Sequence, residues 1–238
     1  MKISPAVIEQ HLTVPAELAS TAVRNDEAHY LYDLMQEIRA RRTLEIGMGL
    51  GRSAAFIMAS TGQPHVAMDP VQESYGNQGI QNLKQLGLIS ALEFHADYSH
   101  HVLPRLVQEG RTFDFIFIDG SHRYDGIFLD DYYADLLLQP NGVMAFHDTW
   151  MRSTQLVLSF IRSNRPDYRE FPTGHLNIQA VSKTGVDDRD GMHFREFYTA
   201  RSLARYHLSK WLSGMPDSAA KRGLSTAKEF LRRRLTGR

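Results

Sequence analysis

At 238 residues, 42% of them hydrophobic and with a formal net charge of zero, the chain is long enough to bury one large α/β core with a modest appendage. Its apolar runs fall far short of the roughly 20 residues that a membrane span needs, and without cysteine it has neither a disulfide framework nor a thiolate metal site. The N-terminus lacks the continuous apolar stretch and small-residue cleavage site of a secretory signal, so a cytoplasmic protein is expected.

The zero charge conceals an asymmetry. Residues 1–188 carry 15 Lys and Arg against 23 Asp and Glu, whereas residues 189–238 carry 12 against 4. The break falls near the polar stretch 183–191. The expected organisation is an N-terminal helical segment over 1–40, a main domain over 41–185 and a basic helical extension over 186–238. Apolar residues recur at helical spacing in that extension. It fits packing against the acidic main body or a second subunit, as in a homo-oligomer, or contact with an anionic membrane surface or a polyanionic glycan. An acidic main body does not favour nucleic acid.

Residues 1–40 read as helices. Beyond them strands are predicted over 43–46, 65–69, 92–95, 113–119 and 143–146, with helices over 53–60, 79–86, 101–109 and 127–138 between them. A helix over 153–163 and strands over 168–171 and 177–181 complete the pattern. Strand and helix alternating at this spacing means parallel strands joined by right-handed crossovers. The expected fold class is therefore α/β: a Rossmann-like, doubly wound, seven-stranded, mostly parallel sheet with N-terminal helices and a basic C-terminal helical tail.

Ligands of such sheets gather beyond the carboxyl ends of the strands. The first candidate is EIGMGLGRSA, where Glu45, Gly47, Gly49 and Gly51 lie between a strand and a helix starting near Ser53. Glycines let the backbone turn sharply and approach a ligand, and the helix N-terminus favours negative groups. Arg52 stands where a dinucleotide fingerprint wants its last glycine, so only GxGxG survives. Asp69 ends the next strand and suits the two hydroxyls of a ribose, in a nicotinamide cofactor or in S-adenosylmethionine; the plainer alternative is a turn cap before Pro70.

Two apolar strands end on acids. FIFIDGSHRYD delivers Asp119 with His122 three residues on, and GVMAFHDTW delivers Asp148 behind His147. Asp119 before Gly120 also suits a turn, Asp148 a helix cap, and His122 a hydrogen bond to an acid such as Asp125. His95, His100 and His101 read as packing or surface residues. In the helix FLDDYYADLLL the periodicity places Phe128, Leu129, Tyr132 and Leu136 inward, with Asp130 and Asp131 on a solvated face. Trp150 and Met151 fit an apolar wall over an acceptor or the core equally well.

Over residues 40–182 these pieces together resemble the class I S-adenosylmethionine-dependent methyltransferases. The endings IDGSHRYDGIFLDD and NGVMAFHD are similar to those of the macrocin- and mycinamicin-type sugar O-methyltransferases, and more distantly to catechol O-methyltransferase. The resemblance implies S-adenosylmethionine held by Glu45, Gly47, Gly49, Gly51, Ser53, Asp69, Tyr98, Ser99 and Asp119, with His100 near the adenine. It further implies a divalent ion on Asp119 and Asp148, with Thr149 or water completing the shell, and His122 as the base that takes a hydroxyl proton. Mg²⁺ is the expected ion, or Mn²⁺ if the His147 imidazole joins it. Strand alternation points His147 away from Asp148.

The function so implied is metal-assisted O-methylation of a sugar, glycan or other polyhydroxylated small molecule. Alternatives are a nicotinamide-dependent oxidoreductase, a non-catalytic S-adenosylmethionine-binding scaffold and a metal hydrolase.

Overall fold

A computed structural model describes residues 3–213. Two helices, α1 (Pro5–His11) and α2 (Asn25–Ile38), precede the alternating part. That part runs β1 (Thr43–Ile46), α3 (Arg52–Thr61), β2 (His65–Met68), α4 (Gln78–Gln85), β3 (Leu92–His95), α5 (Ser99–Gln108), β4 (Phe113–Ile118), α6 (Tyr124–Leu137), β5 (Leu138–Phe146) and α7 (Arg152–Asn164). The strands β6 (Tyr168–Phe171) and β7 (Gln179–Lys183) and the helix α8 (Ala200–Ser213) follow.

The sheet order is β3-β2-β1-β4-β5-β7-β6, with β7 antiparallel to both neighbours and every other pairing parallel. The predicted seven-stranded, mostly parallel sheet is what forms. Winding reverses between β1 and β4, which opens a crevice at their carboxyl ends. Alternation along each strand divides the core in two. Phe115, Phe117, Ala145 and Ala180 face α2 and α3, while Ile116, Ile118, Met144 and Phe146 face α5, α6 and α7. Both faces are covered, so the central strands read as nearly unbroken apolar runs.

Of the four α6 residues expected inward, Phe128 packs against the core and the other three do not. Leu129, Tyr132 and Leu136 are exposed, whereas Ile127, Asp130, Asp131, Ala134 and Asp135 are buried. Two stripes at helical spacing compete here, and polarity picks the wrong one. Asp135 is buried because Arg165 (2.7 Å), the Tyr168 hydroxyl (2.7 Å) and Lys183 (3.0 Å) close on it. That cluster fastens α6 to β6 and β7, and it commits the neighbouring Asp131 to the interior.

The segment after β7 returns to α7, where Ser159 donates to the Phe197 carbonyl (2.7 Å) and Asn164 pairs with the Arg195 backbone (2.7 and 3.0 Å). The remaining basic stretch, residues 214–238, lies outside the described residues. Among the described residues no helix is long and apolar enough to cross a membrane.

Candidate active site

The turn after β1 is where the backbone comes closest to its neighbours. Gly47 sits at φ +88°, and a β-carbon there would lie 2.2 Å from the Asp119 carbonyl oxygen, so only glycine lets the β1 and β4 ends meet. Asp69 braces this loop from β2. Its Oδ2 accepts the Gly49 N–H (2.7 Å), its Oδ1 accepts the Val71 N–H (2.8 Å), and Gln72 donates to Oδ2 at 3.2 Å. A carboxylate has about four acceptor positions, so the loop-bracing role leaves room for a ribose hydroxyl.

A cavity of about 1380 Å³ runs along the crevice. Gly47, Gly49, Ser53, Asp69, Tyr98, Ser99, Asp119, His122 and Asp148 all line it, as do His100, His147, Trp150 and Met151. Tyr98 is half exposed and stacks on His100, with ring centroids 5.3 Å apart. Gly51 sets the start of α3 just behind the wall, at φ +75°.

Glu45 corrects an expectation. It is wholly buried one residue short of the turn, its Oε2 bonded to His65 Nε2 at 3.2 Å, and it does not reach the cavity. Pleating is the reason: β1 turns this side chain into the layer under α3.

The acids meet as the sequence leads one to expect. Asp119 N donates to the Ile46 carbonyl (2.8 Å) and His147 N to the Ile118 carbonyl (3.1 Å), so the sheet ladder carries both polar residues to one rim. Asp119, His122 and Asp148 each offer a ligand atom, all within 4.8 Å of one another. His122 Nε2 contacts Asp148 Oδ2 at 3.1 Å. That hydrogen bond raises the His122 pKa above its usual value, burial opposing it. Asp148 is held low, to about 2: burial alone would raise it, but the bonds from His122, Asn177 and Trp150 and the charge of His147 win. Trp150 Nε1 donates to Asp148 Oδ1 at 3.0 Å, which sets an indole beside the acids.

Two further expectations are corrected here. Thr149 is buried, does not line the cavity, and spends its hydroxyl on the Leu176 carbonyl at 2.7 Å. His147 points into the site, not away from it. The strand ends at Phe146, and Asp148 takes a left-handed φ of 50°, so alternation no longer separates the two side chains. His147 Nδ1 lies 2.8 Å from Asp119 Oδ1, and Nε2 lies 3.1 Å from Glu27 Oε2. Burial disfavours its charge, but Asp119 and Glu27 on either side raise its pKa to about 11. Both ring nitrogens therefore donate.

Glu27 and Asn177 are the residues that sequence reasoning missed. Glu27 is 1% exposed on α2, and Asn177 approaches from the turn before β7. A signal for Glu27 exists: it shares the inward stripe with Ala28, Leu31, Leu34 and Met35.

The donor set fits a divalent cation. Two carboxylates and an imidazole within ligand reach of one another suit Mg²⁺ through oxygen, or Mn²⁺ where the nitrogen joins.

The architecture is the α/β Rossmann-like methyltransferase fold. Residues 44–149 match the family model described as Methyltransferase domain. The chain is 31% identical over 101 residues to caffeoyl-CoA O-methyltransferase 1 of Eucalyptus globulus and 33% identical over 102 residues to caffeoyl-CoA O-methyltransferase 2 of Populus trichocarpa, each match covering 40% of both chains. The chain thus spans about two-fifths of the length of the curated relatives it matches. Among solved structures, the O-methyltransferase TomG of Streptomyces achromogenes, involved in tomaymycin synthesis and solved with S-adenosylmethionine, superposes with a TM-score of 0.63 at 19% identity. That match covers 75% of this chain and 89% of TomG. The O-methyltransferase of Bacillus cereus, in complex with S-adenosylhomocysteine, gives 0.61 at 20% identity, over 75% and 91%. At these identities the structures establish the shared fold.

Proposed function

We propose that the protein transfers a methyl group from S-adenosylmethionine to a hydroxyl of a polyhydroxylated small molecule or glycan, with a divalent ion at Asp119 and Asp148. One observation carries the reading. Asp119, His122 and Asp148 converge in the same cavity that the glycine turn, Asp69, Tyr98 and Ser99 line.

The chemistry follows from those groups. The glycine turn and Asp69 would hold the methyl donor in the cavity that the acids also line. With its Nε2 engaged by Asp148 Oδ2, His122 takes the acceptor proton on Nδ1, the methyl carbon passes from sulfur to the hydroxyl oxygen, and S-adenosylhomocysteine remains. Asp148, bonded to His122, stabilises the imidazolium that results. The ion, when bound, supplies Lewis acidity that lowers the hydroxyl pKa. Trp150, Met151, Tyr124 and Phe128 give the wall an apolar and aromatic surface on which a planar ring or a sugar face can lie.

A sugar acceptor is the first choice, in keeping with the FHD ending. Caffeoyl-CoA, after which the plant relatives are named, is the second, favoured by the aromatic wall. The test is calorimetric titration with S-adenosylhomocysteine and with NAD, followed by transfer of labelled methyl to simple glycosides and to caffeoyl-CoA, with Mg²⁺ and with chelator. Tight binding of the homocysteine compound and chelator-sensitive transfer are expected. Binding of NAD alone would overturn the reading.

A further inference from the structure

We propose that Glu27 is a positioning residue that acts on the carboxylate site through His147, tying the N-terminal helix to Asp119. This rests on the cation site of the proposed function and goes beyond it, because neither the glycine turn nor the strand-end acids involve α2.

The line of contacts is continuous. Glu27 Oε2 meets His147 Nε2 at 3.1 Å, and His147 Nδ1 meets Asp119 Oδ1 at 2.8 Å. A carboxylate on each side of an imidazole fixes the ring plane, as outer residues fix the orientation of the groups that hold an ion. Glu27 is itself over-determined. Its Oε2 accepts the Arg24 N–H (2.7 Å), closing the first turn of α2, while its Oε1 accepts from Asn177 Nδ2 (2.8 Å) and pairs with the Arg24 guanidinium (3.0 Å). Asn177 also donates to Asp148 Oδ1 at 3.3 Å. That last contact is the longest of the set, so the tight path from Glu27 to the site runs through His147 to Asp119.

A second consequence is spatial. Residues 20–24, just ahead of α2, line the same cavity as the acids. Glu27 is the point where that wall is bound to the acids, so the N-terminal segment belongs to the site and does not merely cover it. A purely structural glutamate would not need to face the imidazole, since the capping bond to Arg24 alone serves the helix.

The experiment is a double-mutant cycle on the full chain, with Mn²⁺ as the probe, read by electron paramagnetic resonance with S-adenosylhomocysteine present. Glu27→Ala is expected to weaken Mn²⁺ binding at least about tenfold when His147 is present, and by less than about twofold in the His147→Ala background. Affinity for S-adenosylhomocysteine should hold in all four proteins. Glu27→Gln keeps the size of the side chain and serves if the alanine variant melts; its loss should likewise vanish without His147. Wild-type Mn²⁺ affinity in the Glu27 variants, an equal loss in both backgrounds, or no Mn²⁺ uptake by the wild type would overturn the inference. The titration with S-adenosylhomocysteine judges the methyl-donor reading separately.

Discussion

Gly47 and Asp119 touch backbone to backbone: a β-carbon on Gly47 would lie 2.2 Å from the Asp119 carbonyl oxygen and 2.6 Å from its carbonyl carbon. The glycine turn and the acid-bearing strand end are thus one construction. Gly47→Ala should cost at least about 3 kcal/mol, through the clash and the left-handed φ together, and should abolish binding of S-adenosylhomocysteine. Gly49, also left-handed but with nothing near its missing β-carbon, should lose only about 1–2 kcal/mol on the same change. Thermal unfolding and calorimetry of the two variants side by side check this.

Asp69 holds the far side of that turn. Asp69→Ala leaves the Gly49 and Val71 N–H groups without their acceptor, a loss of about 1–3 kcal/mol for each donor that stays buried. Affinity for S-adenosylhomocysteine should fall by at least about tenfold, since 1.4 kcal/mol corresponds to that factor. Unchanged affinity by calorimetry would show that the loop needs no brace.

His122 is the proton acceptor in the proposed reaction. His122→Asn should reduce methyl transfer by about 10²–10⁴ and leave S-adenosylhomocysteine binding as it is. The side chain is 54% exposed, so the fold should tolerate the change. Full transfer activity in this variant, measured with labelled donor, would assign the proton to another group.

Asp131 makes stability depend on pH. Burial pushes its carboxyl up to about 7, the Arg165 charge opposing, whereas an unfolded chain titrates it at about 3.9. The folded state therefore holds the proton more tightly, so this residue costs nothing below about pH 4 and destabilises increasingly as pH rises to about 7. Asp131→Asn should raise stability at pH 8 by about 1–3 kcal/mol, less than the full linkage because the interior relaxes, and the gain should vanish near pH 4. Denaturant titrations at the two pH values decide it.

The order of strands and helices was legible along the chain, because period-two and period-3.6 apolar patterns are local. The glycine turn, Asp69, Asp119, His122 and Asp148 were legible for the same reason: strand ends in a parallel sheet share one rim. Glu45 was misplaced because a motif says which residues flank a turn, not which side of the pleat each faces. Asp130 and Asp131 face inward against expectation because the face of α6 is set by the pair of Asp135 with Arg165, which lies 30 residues further on.

The inner face of the site is set by long-range packing. Glu27 and His147 are 120 residues apart, and Asn177 is 150 residues from Glu27. No local pattern records such a meeting. It follows from packing α2 on the sheet face beside α3 with its first turn at His147, and from the left-handed turn at Asp148 that swings His147 inward. A buried carboxylate is stable there because an imidazolium and an amide join the local Arg24 contacts around it, and the first two meet it only after the chain has folded.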